Sequence, residues 1–283
     1  MINLGLIGYP LPYSLSPKIH QAALDYCNLL GNYSLFPILP NDLGSLNDLL
    51  NRVRSGEITG LNVTIPYKQT VLPMLDELSP IAQVIGAANT ISMQNGKLTG
   101  DNTDSAGFIT DLGRFLTKET WESEKDHTAL VLGGGGSARA ITYALVSEGW
   151  KVIFATRRPE NAQALITQFS NHESQISNIE FQSNAFRSLI PSFHLIINAT
   201  PVGMSPDIEK SPWPMDLAFP PGAALYDLVY NPRETKLVLD ARAAGLPATT
   251  GLGMLVEQAA LAFELWTGQN VPREHLFTAV EEK

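Results

Sequence analysis

Short apolar runs alternate with helix-like patterns along almost the whole chain. Residues 2–7 form an apolar run ended by Gly8-Tyr9-Pro10, which predicts a first strand. Ser16-Pro17 then opens a helix to about residue 29, with Ser16 as N-cap and Pro17 at the first helical position. Residues 33–38 alternate and predict a strand. Asn41 or Asp42 caps a helix reaching Val53, and residues 60–65 predict a strand stopped by Pro66. Short helices are expected around residues 68–75 and 80–85. Residues 90–93 and 97–99 flank Asn95-Gly96 as a hairpin. Strands alternating with helices through residue 99 predict an α/β domain.

The second half repeats the alternation. Residues 104–116 predict a helix carrying the chain between domains, and the polar stretch 117–127 reads as a surface loop. Strands are expected at 129–132, 151–155, 179–181, 195–198 and 224–228, and helices at 138–148, 160–169 and 235–244. The five prolines within residues 205–221 make that stretch an irregular loop. The apolar helix predicted at 252–266 need not belong to the preceding sheet and is expected to return to the first domain. The pattern divides the chain into residues 1–103, 104–245 and 246–283.

At the head of the second half, Leu130-Val131-Leu132 runs into Gly133, Gly134, Gly135 and Gly136, followed by Ser137 and Ala138. A strand, a tight glycine turn and a helix start make an anion site: glycines admit a diphosphate, and unpaired N–H groups point at it. The spacing Gly133-x-Gly135-x-x-Ala138 fits a dinucleotide fingerprint, whereas a Walker A loop would need Gly-Lys-Ser/Thr next. An acidic residue roughly 20 positions onward would bind the ribose of NAD. Here the second strand ends in Thr156-Arg157-Arg158. Two guanidiniums and a hydroxyl suit a 2′-phosphate, so the expected cofactor is NADP. Arg139 either adds charge near the phosphates or is a surface arginine.

Composition narrows the field. The 283 residues, 44% hydrophobic, are enough for two cores. The net charge of -9, with no long basic run, argues against nucleic acid as a partner. The single cysteine, Cys27, excludes an internal disulfide and a thiolate metal cluster. The five histidines are scattered without ligand spacing, so no metal is expected. With no basic leader and no apolar stretch near membrane-spanning length, the expected location is the cytoplasm, away from membranes.

Two polar constellations carry candidate chemistry. In Asn62-Val63-Thr64-Ile65-Pro66-Tyr67-Lys68, Asn62 and Thr64 lie on one face of a strand end. The other joins Ala87-Ala88-Asn89-Thr90 to Asp101-Asn102-Thr103-Asp104, where Asp104 could simply be a helix N-cap. A lysine and an aspartate brought together could move a proton, but spacing alone does not unite them.

These fragments, with Ser14-Leu15-Ser16-Pro17, Asn198-Ala199-Thr200-Pro201-Val202-Gly203-Met204, Asp227-Leu228-Val229-Tyr230-Asn231-Pro232 and Gly251-Leu252-Gly253-Met254-Leu255-Val256-Glu257-Gln258, resemble the shikimate dehydrogenase family over nearly the whole chain. The resemblance implies an N-terminal α/β substrate domain and a Rossmann-like NADP-binding domain, with the C-terminal helix returning to the first. It implies Lys68 and Asp104 as the catalytic pair. Ser14 and Ser16 would hold the substrate carboxylate, and Asn62, Thr64, Asn89, Asp104 and Gln258 the ring hydroxyls, with Tyr230 a further substrate-side group. Gly133, Gly134, Gly135, Gly136, Ser137, Ala138, Thr156, Arg157 and Arg158 would hold NADP. Thr200, Met204, Leu228, Gly251 and Met254 would line its nicotinamide.

The phosphate turn departs from the family's usual Gly-Ala-Gly-Gly-Ala, and Thr156-Arg157-Arg158 from its Asn-Arg-Thr. The implied activity is NADP-dependent interconversion of 3-dehydroshikimate and shikimate in chorismate and aromatic amino-acid biosynthesis. A quinate/shikimate dehydrogenase with broader substrate or cofactor use is one alternative. A non-catalytic NADP-binding sensor or scaffold is another. Monomer and homodimer are both compatible with the sequence.

Overall fold

The computed structural model of the protein describes residues 1–116, 127–156, 165–169, 175–181 and 183–281. The chain divides into two units, Met1–Gly107 together with Leu255–Lys283, and Phe108–Met254.

The first unit is built on a mixed sheet of β1 (Ile2–Gly8), β2 (Gly31–Pro37), β3 (Gly60–Val63), β4 (Glu77–Leu78), β5 (Thr90–Gln94) and β6 (Lys97–Asp101), in the order β2-β1-β3-β5-β6-β4. Strand β1 runs parallel to β2 and β3, whereas β5 is antiparallel to β3 and β6. Asn95 and Gly96, both at positive φ, make the tight turn between β5 and β6. The helix Leu43–Arg54 buries Leu46, Leu49, Leu50 and Val53, one helical stripe, and Asp42 caps it by accepting from Ser45 N.

Ser16 is not the cap of the helix Ser16–Tyr26. It is the first helical residue, and its N–H donates to Ser14 Oγ at 3.2 Å. The helix expected at 68–75 contracts to a 3-10 turn, Leu72–Met74, because Pro73 lacks a donor for a longer ladder. Strand β3 stops at Val63 rather than residue 65, since its partner β1 ends at Gly8.

The C-terminal segment completes this unit. Trp266 Nε1 donates to Ile91 O at 3.2 Å. The close approach requires Gly60, where a Cβ would stand 2.3 Å from that nitrogen. The helix Arg273–Glu281 packs on Ser16–Tyr26, with the His275 and Tyr26 rings 4.9 Å apart.

The second unit holds a sheet of β7 (Thr128–Leu132), β8 (Lys151–Thr156), β9 (Ile176–Glu180), β10 (Leu195–Asn198), β11 (Ala224–Asp227) and β12 (Ala248–Thr250), parallel at every pairing. Its order, β12-β11-β10-β7-β8-β9, is 3-2-1-4-5-6 read from the other edge and counted within the unit, the Rossmann arrangement. Alternate residues serve two cores. Ala129, Val131, Leu195 and Ile197 face one, and Leu130, Leu132, Ile196 and Leu225 the other. A sheet covered on both faces explains why these strands read as continuous apolar runs.

Strand β9 begins earlier than residue 179, drawn into register by β8. The short helix Asn184–Leu189 and the strand β12 carry no strong periodic signal and follow from packing against this sheet. The loop expected at 117–127 falls almost wholly outside the described residues, as does the start of the helix expected at 160–169, of which 165–168 are helical. No helix among the described residues is long and apolar enough to cross a membrane.

Candidate active site

Lys68 and Asp104, thirty-six residues apart, meet in the first unit. Lys68 Nζ donates to Asp104 Oδ2 at 2.6 Å, with the side chains 12% and 5% exposed. Lys68 sits after the turn that ends β3, and its carbonyl accepts from Ala88 N at 2.8 Å. The preceding Tyr67 is buried, and its hydroxyl donates to the carbonyls of Ile38 and Leu39. The ammonium therefore extends from a backbone fixed on both sides.

Asp104 is the first residue of the helix Asp104–Phe115, yet its carboxylate does not cap that helix. Its own N–H donates to Asn102 Oδ1 at 3.1 Å, while Asn102 Nδ2 donates to Ala87 O. Asn102 thus performs the local structural task, which leaves Asp104 Oδ1 to accept from Asn89 Nδ2 at 2.8 Å.

Asn89 is the hub. Its amide nitrogen also lies 2.9 Å from Thr103 Oγ1 and 3.2 Å from Gln258 Oε1, and its oxygen accepts from Thr103 N and Thr90 Oγ1. Asn62 is buried nearby: its oxygen accepts from Tyr33 OH at 2.8 Å and its nitrogen donates to Asn89 O at 3.3 Å. Lys68, Asp104, Asn89, Gln258 and Asn62 thus form one hydrogen-bonded group.

Among the described residues, Ser14, Ser16 and Thr64 make no side-chain hydrogen bond to that group. Ser14 and Ser16 are joined to each other. Thr64 is half-buried just beyond β3. Tyr230 is half-buried in the second unit, on the loop after β11.

Two residues near Asn62, His20 and Tyr33, were not singled out from sequence. His20 is fully buried and stacks on Tyr33 at 4.4 Å with nearly parallel planes. Neither ring nitrogen has a hydrogen-bond partner among the described residues. Burial pushes its pKa down to about 3, and the nearby Asn62 carboxamide opposes this only in part. The one available signal was its place on the apolar stripe with Ile19, Ala23 and Leu24.

In the second unit the strand order reverses direction between β7 and β10, the place where such sheets bind ligands. The glycine turn follows β7. Gly133 has φ +112°, and a Cβ there would lie 3.0 Å from Ala199 O and 3.1 Å from Thr200 Cγ2. The helix Gly136–Ser147 has Gly135 as N-cap, with no side-chain cap and no acidic residue in its first turn. Ala138 is buried against the sheet, while Gly133, Gly134, Gly136 and Ser137 are half-buried. Arg139 is only 8% exposed, and its Nε is buried without a partner. Thr156 ends β8 and is buried, whereas Arg157 and Arg158 lie outside the described residues.

After β10, a buried pair shapes the neighbouring loops. Asn198 and Asp227 face each other across the parallel pairing, and Asn198 Nδ2 donates to Asp227 Oδ1 at 2.8 Å. Asn198 Oδ1 accepts from Thr200 N and Thr200 Oγ1, and its nitrogen also reaches Val202 O. Asp227 accepts from Val229 N and from Thr235 Oγ1. Burial pushes the Asp227 carboxyl up to about 6 despite those donors. This pair anchors the segments bearing Thr200, Met204 and Leu228. Gly251 belongs beside them, because a Cβ there would stand 2.4 Å from Leu228 O. Met254 is buried in the core cluster containing Phe108 and Leu112.

A helix start without a side-chain cap, a turn that requires glycine at position 133 and a guanidinium that meets no carboxylate among the described residues all suit the diphosphate of a dinucleotide. Among the described residues no cluster of histidine, cysteine and carboxylate groups could hold a metal ion. A Rossmann-type unit joined to a unit with a buried Lys–Asp pair is the make-up of a nicotinamide-dependent oxidoreductase.

Comparison with known proteins narrows that class. A family model described as the shikimate dehydrogenase substrate binding domain matches residues 6–91, and one for the shikimate 5′-dehydrogenase C-terminal domain matches residues 251–276. The shikimate dehydrogenase (NADP(+)) of Salinibacter ruber is 38% identical, covering 97% of this chain and 95% of its own. That of Desulforamulus reducens is also 38% identical, covering 95% and 90%. The shikimate 5-dehydrogenase of Thermus thermophilus, solved with NADP(H) and shikimate, superimposes with a TM-score of 0.82 at 36% identity over 99% of each chain. The chain belongs to the shikimate dehydrogenase family.

Proposed function

We propose that the protein catalyses reversible, NADP-dependent hydride transfer between shikimate and 3-dehydroshikimate, within chorismate and aromatic amino-acid biosynthesis. The observation that carries this reading is the 2.6 Å Lys68–Asp104 pair, tied through Asn89 to Gln258. A protein that only bound the nucleotide would need no such proton donor.

When bound, NADP(H) supplies or accepts the hydride at its nicotinamide. In the reducing direction, Lys68 gives a proton from Nζ to the oxygen of the reacting carbonyl, and its positive charge stabilises that oxygen as charge develops. Asp104 holds the ammonium in place through Oδ2. Asn62, Thr64, Asn89, Asp104 and Gln258 orient the ring hydroxyls, and the Ser14 and Ser16 hydroxyls take the carboxylate, with Tyr230 a further substrate contact. On the cofactor side, the Gly133–Gly136 turn with Ser137 and Ala138 would receive the diphosphate. Thr156, Arg157 and Arg158 would receive the 2′-phosphate, and Thr200, Met204, Leu228, Gly251 and Met254 would line the nicotinamide.

The test follows absorbance at the reduced-nicotinamide band with shikimate or quinate, each with NADP and then NAD. Turnover with shikimate and NADP alone, reduced by about 10²–10⁴ in kcat for Lys68→Ala with only a small change in the KM for shikimate, is the expected outcome. Comparable rates with quinate or NAD would favour the broader enzyme. NADP binding without turnover would favour a binder.

A further inference from the structure

Arg139 is an anomaly for a charged side chain. It lies in the first turns of the helix Gly136–Ser147 and is 8% exposed. Its Nε is buried without a hydrogen-bond partner, and no carboxylate among the described residues pairs with it. Arginine is almost never buried without a partner, because the desolvated charge must be compensated. Burial alone pulls its pKa below the ordinary arginine value, with no carboxylate to offset it. Among the described residues no group supplies the counter-charge, which leaves it to a ligand.

Its position says what that group is. Side chains on a helix lean toward the N-terminus and cover the preceding turn. From position 139, that direction is toward Gly135 and Gly136. The same helix start has a glycine N-cap that offers no side-chain acceptor, and no acidic residue in its first turn. The positive end of the helix and the guanidinium therefore act on the same space, and among the described residues neither meets a carboxylate. The Thr156 end of β8, by contrast, is where a 2′-phosphate would be read.

We infer that Arg139 is the counter-charge of the cofactor's diphosphate, held in reserve beneath the Gly133–Gly136 turn and paired only when a dinucleotide binds. The inference rests on the NADP reading for the identity of the ligand, but not for the existence of an anion site. It carries an unusual signature: the ligand-free protein is destabilised by the residue that strengthens ligand binding.

The experiment compares the full-length protein with Arg139→Met and Arg139→Lys, using inorganic pyrophosphate, NADPH and adenosine 2′,5′-bisphosphate, which lacks the diphosphate, as probes. Thermal melts and NADPH fluorescence titration give the readouts. Arg139→Met is expected to melt at or above the wild-type temperature without ligand. It should lose the stabilisation by pyrophosphate and weaken NADPH binding by about ten- to hundredfold. Binding of adenosine 2′,5′-bisphosphate should be unchanged, and Arg139→Lys should recover part of the loss. If Arg139→Met melts lower but binds pyrophosphate and NADPH like the wild type, Arg139 is a packing residue and the inference fails. It fails equally if wild-type protein does not bind pyrophosphate, or if the bisphosphate loses as much affinity as NADPH. Pyrophosphate binding that depends on Arg139, in a protein without shikimate turnover, would uphold the anion site and overturn only the functional reading.

Discussion

Asp104 can serve Lys68 because another residue does the work its position would normally demand. An aspartate at a helix start ordinarily caps it, but here Asn102 accepts from the Asp104 N–H. Both Asp104 oxygens then meet side chains, one Lys68 and the other Asn89. His20 shows a different use of burial. Its pKa is lowered from 6.5 to about 3, so the folded state takes up its proton later than the unfolded chain. Stability from neutral His20 is fully present above pH 6.5 and is lost as pH falls toward about 3, by ~1.4 kcal/mol per pH unit. His20→Phe keeps a ring against Tyr33 and removes the titration. Urea unfolding between pH 7 and 4 should give a shallower acid loss for the variant, and parallel slopes would contradict the assignment. Lys68 and Asn62 were legible as candidates from residue type alone. His20 was not, because its meaning depends on what surrounds it.

At the level of elements, the Asn198–Asp227 pair binds two loops to the ends of adjacent parallel strands. The folded pKa of Asp227 is raised from 3.8 to about 6, so the folded state is the better proton acceptor in that window. Stability is therefore highest below about pH 4 as far as this group is concerned. It falls as pH rises through about 6, by on the order of 3 kcal/mol. Asp227→Asn should flatten that slope, and unfolding free energies at pH 4.5, 5.5 and 7 would test it; an unchanged slope would place the titration elsewhere. This trend opposes that of His20, so the wild-type curve hides both and each variant reveals one. The glycine turn is a second element whose geometry sets its sequence. Gly133→Ala combines φ +112° with a 3.0 Å approach to Ala199 O. It should cost about 1–2 kcal/mol of stability and weaken NADPH binding with the KM for shikimate little changed. Calorimetry and fluorescence titration would check both parts.

For the molecule as a whole, the first unit is discontinuous in sequence, since Leu255–Lys283 belongs with Met1–Gly107. Trp266 against Gly60 and Ile91, and Gln258 against Asn89, come from that distant segment. A fragment of residues 1–107 should therefore fail to fold, whereas residues 108–254 carry a complete sheet with both cores and should fold alone. Circular dichroism and cooperative urea transitions of the two fragments test this; a cooperatively folded 1–107 fragment would refute it. Local chemistry was sufficient for much of this protein. Apolar periodicity gave most of the strands and long helices, Asn95-Gly96 gave the hairpin, and the run of glycines after β7 gave the turn from strand to helix, because each depends on neighbours within a few residues. Sequence also supplied the polar residues of the site. Their union was a tertiary matter, since Lys68, Asn89, Asp104 and Gln258 meet only when β3, the lead into β5, the helix Asp104–Phe115 and the helix Leu252–Thr267 are packed together. Which of two acidic or amide side chains caps a helix, whether a histidine is neutral and whether an arginine has a partner are settled by burial and distance. No spacing along the chain encodes either quantity.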